Sequence, residues 1–409
     1  MLLAAMLHAL SLCAYSGKES EKLRVDSTLQ VSFLTCGPGE IIYELEGHSG
    51  LRFKSDSLDI VVNWGLFDFD SPNFLYRFVK GETDYKAGWN PTDAFIGYYT
   101  HFGREIKEQK LNLTPEEASR ALYLAEQNLL PENRVYRYNY VKDNCATRPL
   151  RLIERAIEDT ILLGESNPEY TTFRNEMIAY HRLYPWYQFG IDLALGSGID
   201  YRINNREAAF APVVLWAMLE SATIGTADGR KLVTESSTIN APSNGDKFTA
   251  TPFFLTPLFV FWILFAIVAM ITLNDIHRRK VAKWLDGLLF GIFGVAGCLI
   301  AFLVFISEHE STSPNVLILW LNPMCLLVPL LIWFRRLVGL LICYHILNLA
   351  LIALMIVMIF VIGQKINAAF IPLILCDIVR SLSFIYISKW KRRKNRLSKG
   401  YYSSYSTRR

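Results

Sequence analysis

The pattern of apolar and polar positions divides the chain into two unlike parts. Up to about residue 222, short runs alternate apolar with polar residues or repeat at helical spacing. From Thr251 onward Leu, Ile, Val and Phe dominate, with no polar face at helical spacing. Crossing roughly 30 Å of hydrocarbon takes about 20 predominantly apolar residues. Five stretches qualify: 253–273, 285–306, 316–334, 338–361 and 369–388. The pattern predicts an α+β domain of about 230 residues followed by a C-terminal all-α bundle of five transmembrane helices.

Within the first part, Leu29–Thr35 reads as a strand, Gly37-Pro38-Gly39 as a turn and Glu40–Glu46 as a short helical turn. Leu51 and Phe53 alternate with His48, Gly50 and Arg52. After a polar loop, Leu58, Ile60 and Val62 alternate with Asp59, Val61 and Asn63. This is a hairpin pattern. Pairing Phe53 with Leu58 sets Arg52 opposite Asp59, a favourable cross-strand charge pair, and His48 opposite Asn63. A one-residue slip would turn every side chain to the other face. Thr114-Pro115-Glu116-Glu117 is a capping box that opens a helix to about Leu130. Val135–Tyr140 reads as a strand. Asp143-Asn144-Cys145 leads into a helix to about Glu158, with Pro149 confined to its first turn. Residues 170–222 read as mostly helical, broken near Gly196-Ser197-Gly198. The polar stretch 223–251 reads as a linker.

Charge sets the orientation. Arg278, Arg279, Lys280 and Lys283 follow the first expected span, Arg335 and Arg336 follow the third, and the tail carries Lys389, Lys391, Arg392, Arg393, Lys394 and Arg396. The loop 307–315 has no Lys or Arg, and 363–367 has only Lys365. Cytoplasmic loops carry the Lys and Arg excess, so an odd number of spans puts the first domain outside the cytoplasm. The net charge of +4 is mostly this topological signal, and no nucleic-acid motif accompanies it. Residues 1–16 resemble the apolar part of a secretion signal, without its charged start. The expected outline is a signal-like segment 1–16, a periplasmic domain 17–222, a linker 223–251, a five-helix membrane domain 252–390 and a basic cytoplasmic tail 391–409.

The candidate chemistry lies in Cys145, His48 and Asn63. Of seven cysteines, Cys298, Cys325, Cys343 and Cys376 fall in expected spans and Cys13 in the signal-like segment. Cys36 and Cys145 stay in the exported domain, where a disulfide is the ordinary outcome. Cys145 also sits at an expected helix start, where free amides and the dipole favour a thiolate and can hold an oxyanion. His48 is the candidate base, and Asn63 can hold its second ring nitrogen. A catalytic triad, a Cys36–Cys145 disulfide and a plain buried thiol stay open on pattern alone. A zinc site from Cys36, Cys145, His48 and His101 or His181 lacks ligand spacing. Asp68 and Asp70 read as solvated turn carboxylates. In the expected spans, Asp377 with Arg380 and His345 with Asn348 are three apart, each on one helix face. Ionisable groups there are costly, so they serve either packing or an access path.

Several motifs together carry a resemblance. Leu34-Thr35-Cys36-Gly37-Pro38-Gly39, Gly47-His48-Ser49-Gly50-Leu51-Arg52, Asn63-Trp64-Gly65, Phe67-Asp68-Phe69-Asp70, Leu111-Asn112-Leu113-Thr114 and Asn144-Cys145-Ala146-Thr147-Arg148 resemble the Lnb type of bacterial lipoprotein N-acyltransferase. The order of histidine first, then Asn-Cys, is similar to circularly permuted papain-like enzymes (NlpC/P60-like), including the lecithin–retinol acyltransferase group. The position matching Asn63 is often histidine there. The resemblance implies a permuted papain-like fold and catalysis by Cys145, His48 and Asn63 without cofactor or metal. It implies that phospholipid donates an acyl chain to Cys145 and that the α-amine of a diacylglyceryl-cysteine lipoprotein accepts it. The same residues would serve a membrane-anchored thiol hydrolase. A transporter or sensor reading would rest on Asp377 and His345, without broken-helix repeats to support it.

Overall fold

The computed structural model describes residues 24–165, 172–242 and 250–406, with backbone alone from residue 395. The signal-like segment 1–16, including Cys13, lies outside the described residues. The first domain is built on a seven-stranded antiparallel sheet. Its strands are β1 (Gln30–Cys36), β2 (His48–Lys54), β3 (Asp59–Leu66), β4 (Asp84–Pro91), β5 (Ile106–Leu111), β6 (Val135–Arg137) and β9 (Val233–Asn240). They lie in the order β6-β4-β3-β2-β1-β5-β9. A small pair, β7 (Ile161–Leu162) with β8 (Thr223–Ile224), stands apart.

Alternation decides which face each residue takes. Val31, Phe33, Leu51, Phe53, Val62 and Trp64 line one buried face. Helices α1 (Pro115–Leu129) and α2 (Thr147–Ile157) close it with Ala118, Ala121, Leu150 and Ile153. Leu34, Cys36 and Val61 face the other way, beneath Phe95 and Tyr99 of the helix Thr92–His101. The expected capping box is complete in α1: Glu117 N–H donates to Thr114 Oγ1 at 3.2 Å, and Thr114 N–H to Glu117 Oε2 at 2.7 Å.

Three expectations change here. The β2–β3 register is Gly50 opposite Asn63 and Lys54 opposite Asp59, two residues from the expected pairing. The loop is therefore Ser55–Leu58, closed by Ser55 N–H donating to Leu58 O at 2.7 Å. A shift of two preserves every face, so Arg52 still binds Asp59 at 2.7 Å, but diagonally. The stretch 223–251 is more than a linker. Its alternating Val233–Asn240 adds edge strand β9 against β5. The strand expected at 135–140 ends at Arg137.

Two helices, α3 (Phe173–His181) and α4 (Pro185–Ala194), lead toward the membrane part. There, α5 (Pro257–Arg278), α6 (Lys283–Phe305), α7 (Val338–Ile362) and α8 (Phe370–Ser406) include four helices long and apolar enough to cross a membrane. The expected span 316–334 is not one helix. It breaks into 3-10 turns Val316–Leu319 and Pro323–Leu326 and a short helix Leu327–Leu331. Pro323 cannot continue a preceding helical turn, and Asn322 Oδ1 starts a new one by accepting from Met324 N–H at 3.1 Å. Irregular backbone at membrane depth is tolerated where protein buries it. Here Trp320, Leu321, Cys325 and Val328 are buried. Gly297 lets the break approach α6, because a Cβ there would lie 2.5 Å from the Asn322 backbone.

Arg380 does not pair with Asp377, as spacing had allowed. Its guanidinium binds Asp286 at 2.5 Å, Asp275 at 2.8 Å and Thr272 at 3.0 Å, on α6 and α5. Asp377 instead accepts from Asn348 at 2.5 Å and Ser381 at 3.0 Å. Removing one partner from a buried ion group typically costs about 3–5 kcal/mol. Arg380→Met is expected to lower the temperature at which the detergent-solubilised chain loses its monodisperse elution peak. Adding Asp275→Asn and Asp286→Asn should restore part of the loss. An unchanged transition in Arg380→Met would show that the bundle does not depend on this group.

Candidate active site

Cys145 precedes the first turn of α2, in a turn pinned by its neighbour. Asn144 is buried, and its amide is fully used. Oδ1 accepts from Ala146 N–H at 2.9 Å and Thr147 N–H at 3.0 Å. Nδ2 donates to Tyr140 O at 2.7 Å and Phe210 O at 2.8 Å. The first helical amides, expected to be free, are thus taken by Asn144. Pro149 falls in the first turn, where its missing N–H costs nothing.

The sulfur has other donors. The backbone N–H of Ser49, the hydroxyl of Tyr138 and the N–H of Cys145 itself lie near enough to it to favour the thiolate. Ser49 Oγ also donates to Cys145 O at 2.7 Å. The residue after His48 is therefore fastened to the cysteine turn. Gly65, at φ 90°, makes room: a Cβ there would come 3.2 Å from the Tyr138 ring and 3.7 Å from Cys145 Cβ.

His48 and Asn63 come together as expected, though not directly opposite. They share a sheet face, and the Asn63 side chain hydrogen-bonds the imidazole. Asn63 Nδ2 donates to Asn90 Oδ1 at 3.4 Å, which leaves its oxygen to accept from the ring. His48 stands across from Cys36 in the β1–β2 ladder and stacks on Tyr99 at 6.3 Å. Arg104, buried beneath, binds Gly37 O at 2.9 Å and Glu44 at 3.0 Å, and lies over the Tyr99 ring at 4.7 Å.

Cys36 and Cys145 are both free thiols, which sets the disulfide aside. Among the described residues no three His, Cys, Asp or Glu side chains gather as a metal-binding group. His181, one zinc candidate, instead contacts Glu46 and Gln188, each at 2.8 Å.

A match to the Lnb N-terminal periplasmic domain covers residues 21–177, and a match to the Lnb transmembrane domain covers 249–392. The chain belongs to the Lnb family. No curated protein and no solved structure matches it. The Lnb periplasmic domain therefore sits outside the inner membrane, carried by the Lnb membrane domain.

The electrostatics of this Lnb site differ from those of an exposed thiolate. Burial pushes the Cys145 thiol up to about 11, and the donors from Ser49 and Tyr138 only partly offset it. Burial, then the Arg104 charge, push the half-buried His48 down to about 4, against the Asn63 hydrogen bond. Burial also raises Cys36. The resting site holds a neutral thiol and a neutral imidazole. A neutral imidazole is the form that accepts a proton.

Tyr138 was not singled out by sequence. The only signal was its place in the tyrosine alternation before Cys145. Its ring also begins a run of aromatic contacts. Tyr138 stacks on Tyr85 at 4.3 Å, Tyr85 meets Phe67 at 5.2 Å, Phe67 meets Phe74 at 5.9 Å, and Phe74 meets Phe78 at 5.8 Å. Helix Phe74–Lys80 exposes Leu75 and Tyr76 and rests on the loop after α6. Ser307 Oγ donates to Val79 O at 2.9 Å and Glu308 N–H to Lys80 O at 2.7 Å. The run thus extends from the sulfur to the bundle.

Because burial raises the Cys145 thiol, its alkylation by iodoacetamide should be slow near neutral pH and climb toward about pH 11. Tyr138→Phe removes a donor to the thiolate, so it should move the rise to still higher pH. Cys145→Ser supplies the blank for the other thiols. A rate already level near neutral pH would mean that a stable thiolate exists at rest.

Proposed function

We propose that this chain is a cysteine-dependent acyltransferase that N-acylates lipoproteins at the outer face of the inner membrane. The observation that carries the reading is the aromatic run joining the Cys145 sulfur to the bundle. It offers an apolar route between lipid and a buried nucleophile. The motifs around His48, Asn63 and Cys145 support a papain-like arrangement, with Cys145 as nucleophile, His48 as base and Asn63 orienting the ring.

In the proposed reaction the Cys145 thiol gives its proton to His48, and sulfur attacks the ester carbonyl of a phospholipid. The C–O bond breaks, the lysophospholipid oxygen takes the proton from His48, and the acyl chain stays on sulfur as a thioester. The α-amine of a diacylglyceryl-cysteine lipoprotein then attacks the carbonyl. The C–S bond breaks, the amine proton passes through His48 to sulfur, and an amide is formed. The donors from Ser49 and Tyr138 stabilise the thiolate on its way in and out. Anchoring both lipid substrates and the enzyme in one leaflet raises their effective concentration.

The same reading has five crossings, the third through the broken segment, with the C-terminus in the cytoplasm. Two facts support it. The 307–315 and 363–369 connections both touch the first domain, through Asn315 with Leu193 O at 3.1 Å and Asn367 with Asp192 at 2.8 Å. The basic connections at 278–283 and 335–336 lie at the other ends of those helices.

Mass spectrometry of lipoprotein N-termini tests the function, using the full-length chain in bilayers with acyl-labelled phospholipid. The wild type should transfer label to the α-amine. Cys145→Ser should abolish transfer, and His48→Ala should slow it by about 10²–10⁴. Labelled free fatty acid without N-acylation would make the chain a hydrolase. N-acylation without label and with an unchanged chain count would place the donor in the lipoprotein's own glyceryl esters. Full activity in folded Cys145→Ser would end the acyl-enzyme reading.

A further inference from the structure

The apolar surface at the outer end of the aromatic run is left bare. Helix Phe74–Lys80 turns Phe74 toward the run and leaves Leu75 and Tyr76 exposed, Leu75 by 73%. Its two cations are taken: Arg77 pairs with Asp84 at 2.6 Å, and Lys80 pairs with Glu82. A helix facing water turns polar residues outward. This one turns leucine and tyrosine outward. Ile41, Ile42 and Tyr43 are also exposed, three in a row before β2. Consecutive exposed apolar residues of this kind serve a function or are a fault. Rings join the two pieces. Tyr43 meets Phe67 at 5.6 Å and the exposed Phe69 at 5.9 Å, and Phe69 meets Phe74 at 5.1 Å. Phe67 belongs to the run that reaches Tyr138 beside the sulfur. The patch therefore borders the outer end of that run.

Continuity with the bundle says what covers it. Tyr76 meets Phe302 at 6.1 Å, and Phe302 lies inside α6, three residues before its end. At 1.5 Å per residue that is about 4.5 Å along the helix. Amphipathic helices lying in a membrane interface bury their apolar face to a comparable depth, roughly 5–10 Å. Phe305 and Ile306, at the same end of this membrane-spanning helix, are exposed by 75% and 54%. The helix Phe74–Lys80 is fixed there by Ser307 Oγ donating to Val79 O at 2.9 Å and Glu308 N–H to Lys80 O at 2.7 Å. The bare patch and the lipid-facing end of α6 thus form one surface. Glu40, Asp68 and Asp70 are exposed beside Ile41 and Phe69. Charge is costly in hydrocarbon, so that part of the patch belongs at headgroup depth.

We propose that the outer leaflet of the bilayer covers this patch, with Leu75 and Tyr76 among the acyl chains and Ile41, Ile42, Tyr43 and Phe69 at headgroup depth. The aromatic run then opens into lipid, and an acyl chain reaches its mouth without crossing water. The seating stands independently of the acyl-transfer reading; only the use of the mouth rests on it.

Photo-crosslinking of the full-length chain in bilayers tests this. p-Benzoylphenylalanine takes the place of Leu75, Ile42, Leu288 or Tyr123, one at a time. All four are exposed, so the variants should fold. The probe is a phosphatidylglycerol with tritiated, ether-linked chains, which cannot be transferred as acyl groups. Label on the chain therefore reports contact and not turnover. Leu288 is the lipid-facing reference on α6, and Tyr123 on α1 is the reference within the first domain. After irradiation, positions 75 and 42 should carry labelled lipid as position 288 does, and position 123 should stay at background. No adduct at 75, or none at 42, would overturn the seating. Label at 123 equal to that at 75 would do the same. A crosslinked dimer in place of the lipid adduct would assign the patch to a second copy of the chain and overturn the leaflet as its cover.

Discussion

The buried amide of Asn144 holds the site together. It takes two helix-start amides with its oxygen and gives both hydrogens to the carbonyls of Tyr140 and Phe210. Those four partners belong to the tyrosine strand segment, the start of α2 and the helical extension. One side chain therefore fixes three pieces of backbone around Cys145. A buried amide satisfied at all four positions tolerates little movement, because any lost bond leaves a desolvated group behind. The hairpin is then fastened to that fixed turn by Ser49, through its amide to sulfur and its hydroxyl to Cys145 O. His48 inherits its place from its neighbour.

A similar economy seats the domain on the bundle. Arg174 is buried and binds Asp192 and Asp200, both at 2.7 Å, and the carbonyls of Leu195 and Gly196. It gathers the loop after α4 into one shape. That loop receives the membrane connections: Gly196 N–H donates to Ser311 O at 2.9 Å, and Ser197 N–H to Pro314 O at 2.8 Å. Inside the bundle Arg380 plays the matching part, joining α8 to α5 and α6 through two carboxylates. Both arginines are expensive to bury and are fully paired. Neither has a visible role in chemistry: Arg174 shapes the loop that meets the membrane connections, and Arg380 joins three helices of the bundle.

Much of this was legible along the chain, for identifiable reasons. The strand alternation of β2 and β3 assigned His48 and Asn63 to one face correctly, because face depends only on parity. The register was two residues off, because the charge pair Arg52–Asp59 is satisfied equally well on the diagonal. The capping box at Thr114 was read correctly because its signal is local. Edge strand β9 was missed because Thr, Ser and Glu fill its exposed positions, and its only partner is the distant β5. The broken segment at 316–334 was read as one helix because hydropathy does not register a Pro323 break. Three of the four bonds of Asn144 are local, but its bond to Phe210 and the stacking of Tyr138 on Tyr85 form only when distant segments meet. Sequence spacing carried no sign of them.

Burial also shapes the energetics of the proposed chemistry. An exposed cysteine beside histidine can rest as an ion pair, but here desolvation penalises both charges. The neutral pair is the resting state, and charge appears only as a carbonyl is attacked. At that moment the Ser49 and Tyr138 donors strengthen, since they favour the anion over the thiol. Burial has a second consequence. Water competes with the amine for any thioester, and a sulfur reached along aromatic rings is poorly hydrated. The features that raise the thiol's pKa are therefore the ones that protect an acyl group placed upon it. A lower pKa would come with a wetter site, and with a wetter site the balance would move from transfer toward hydrolysis.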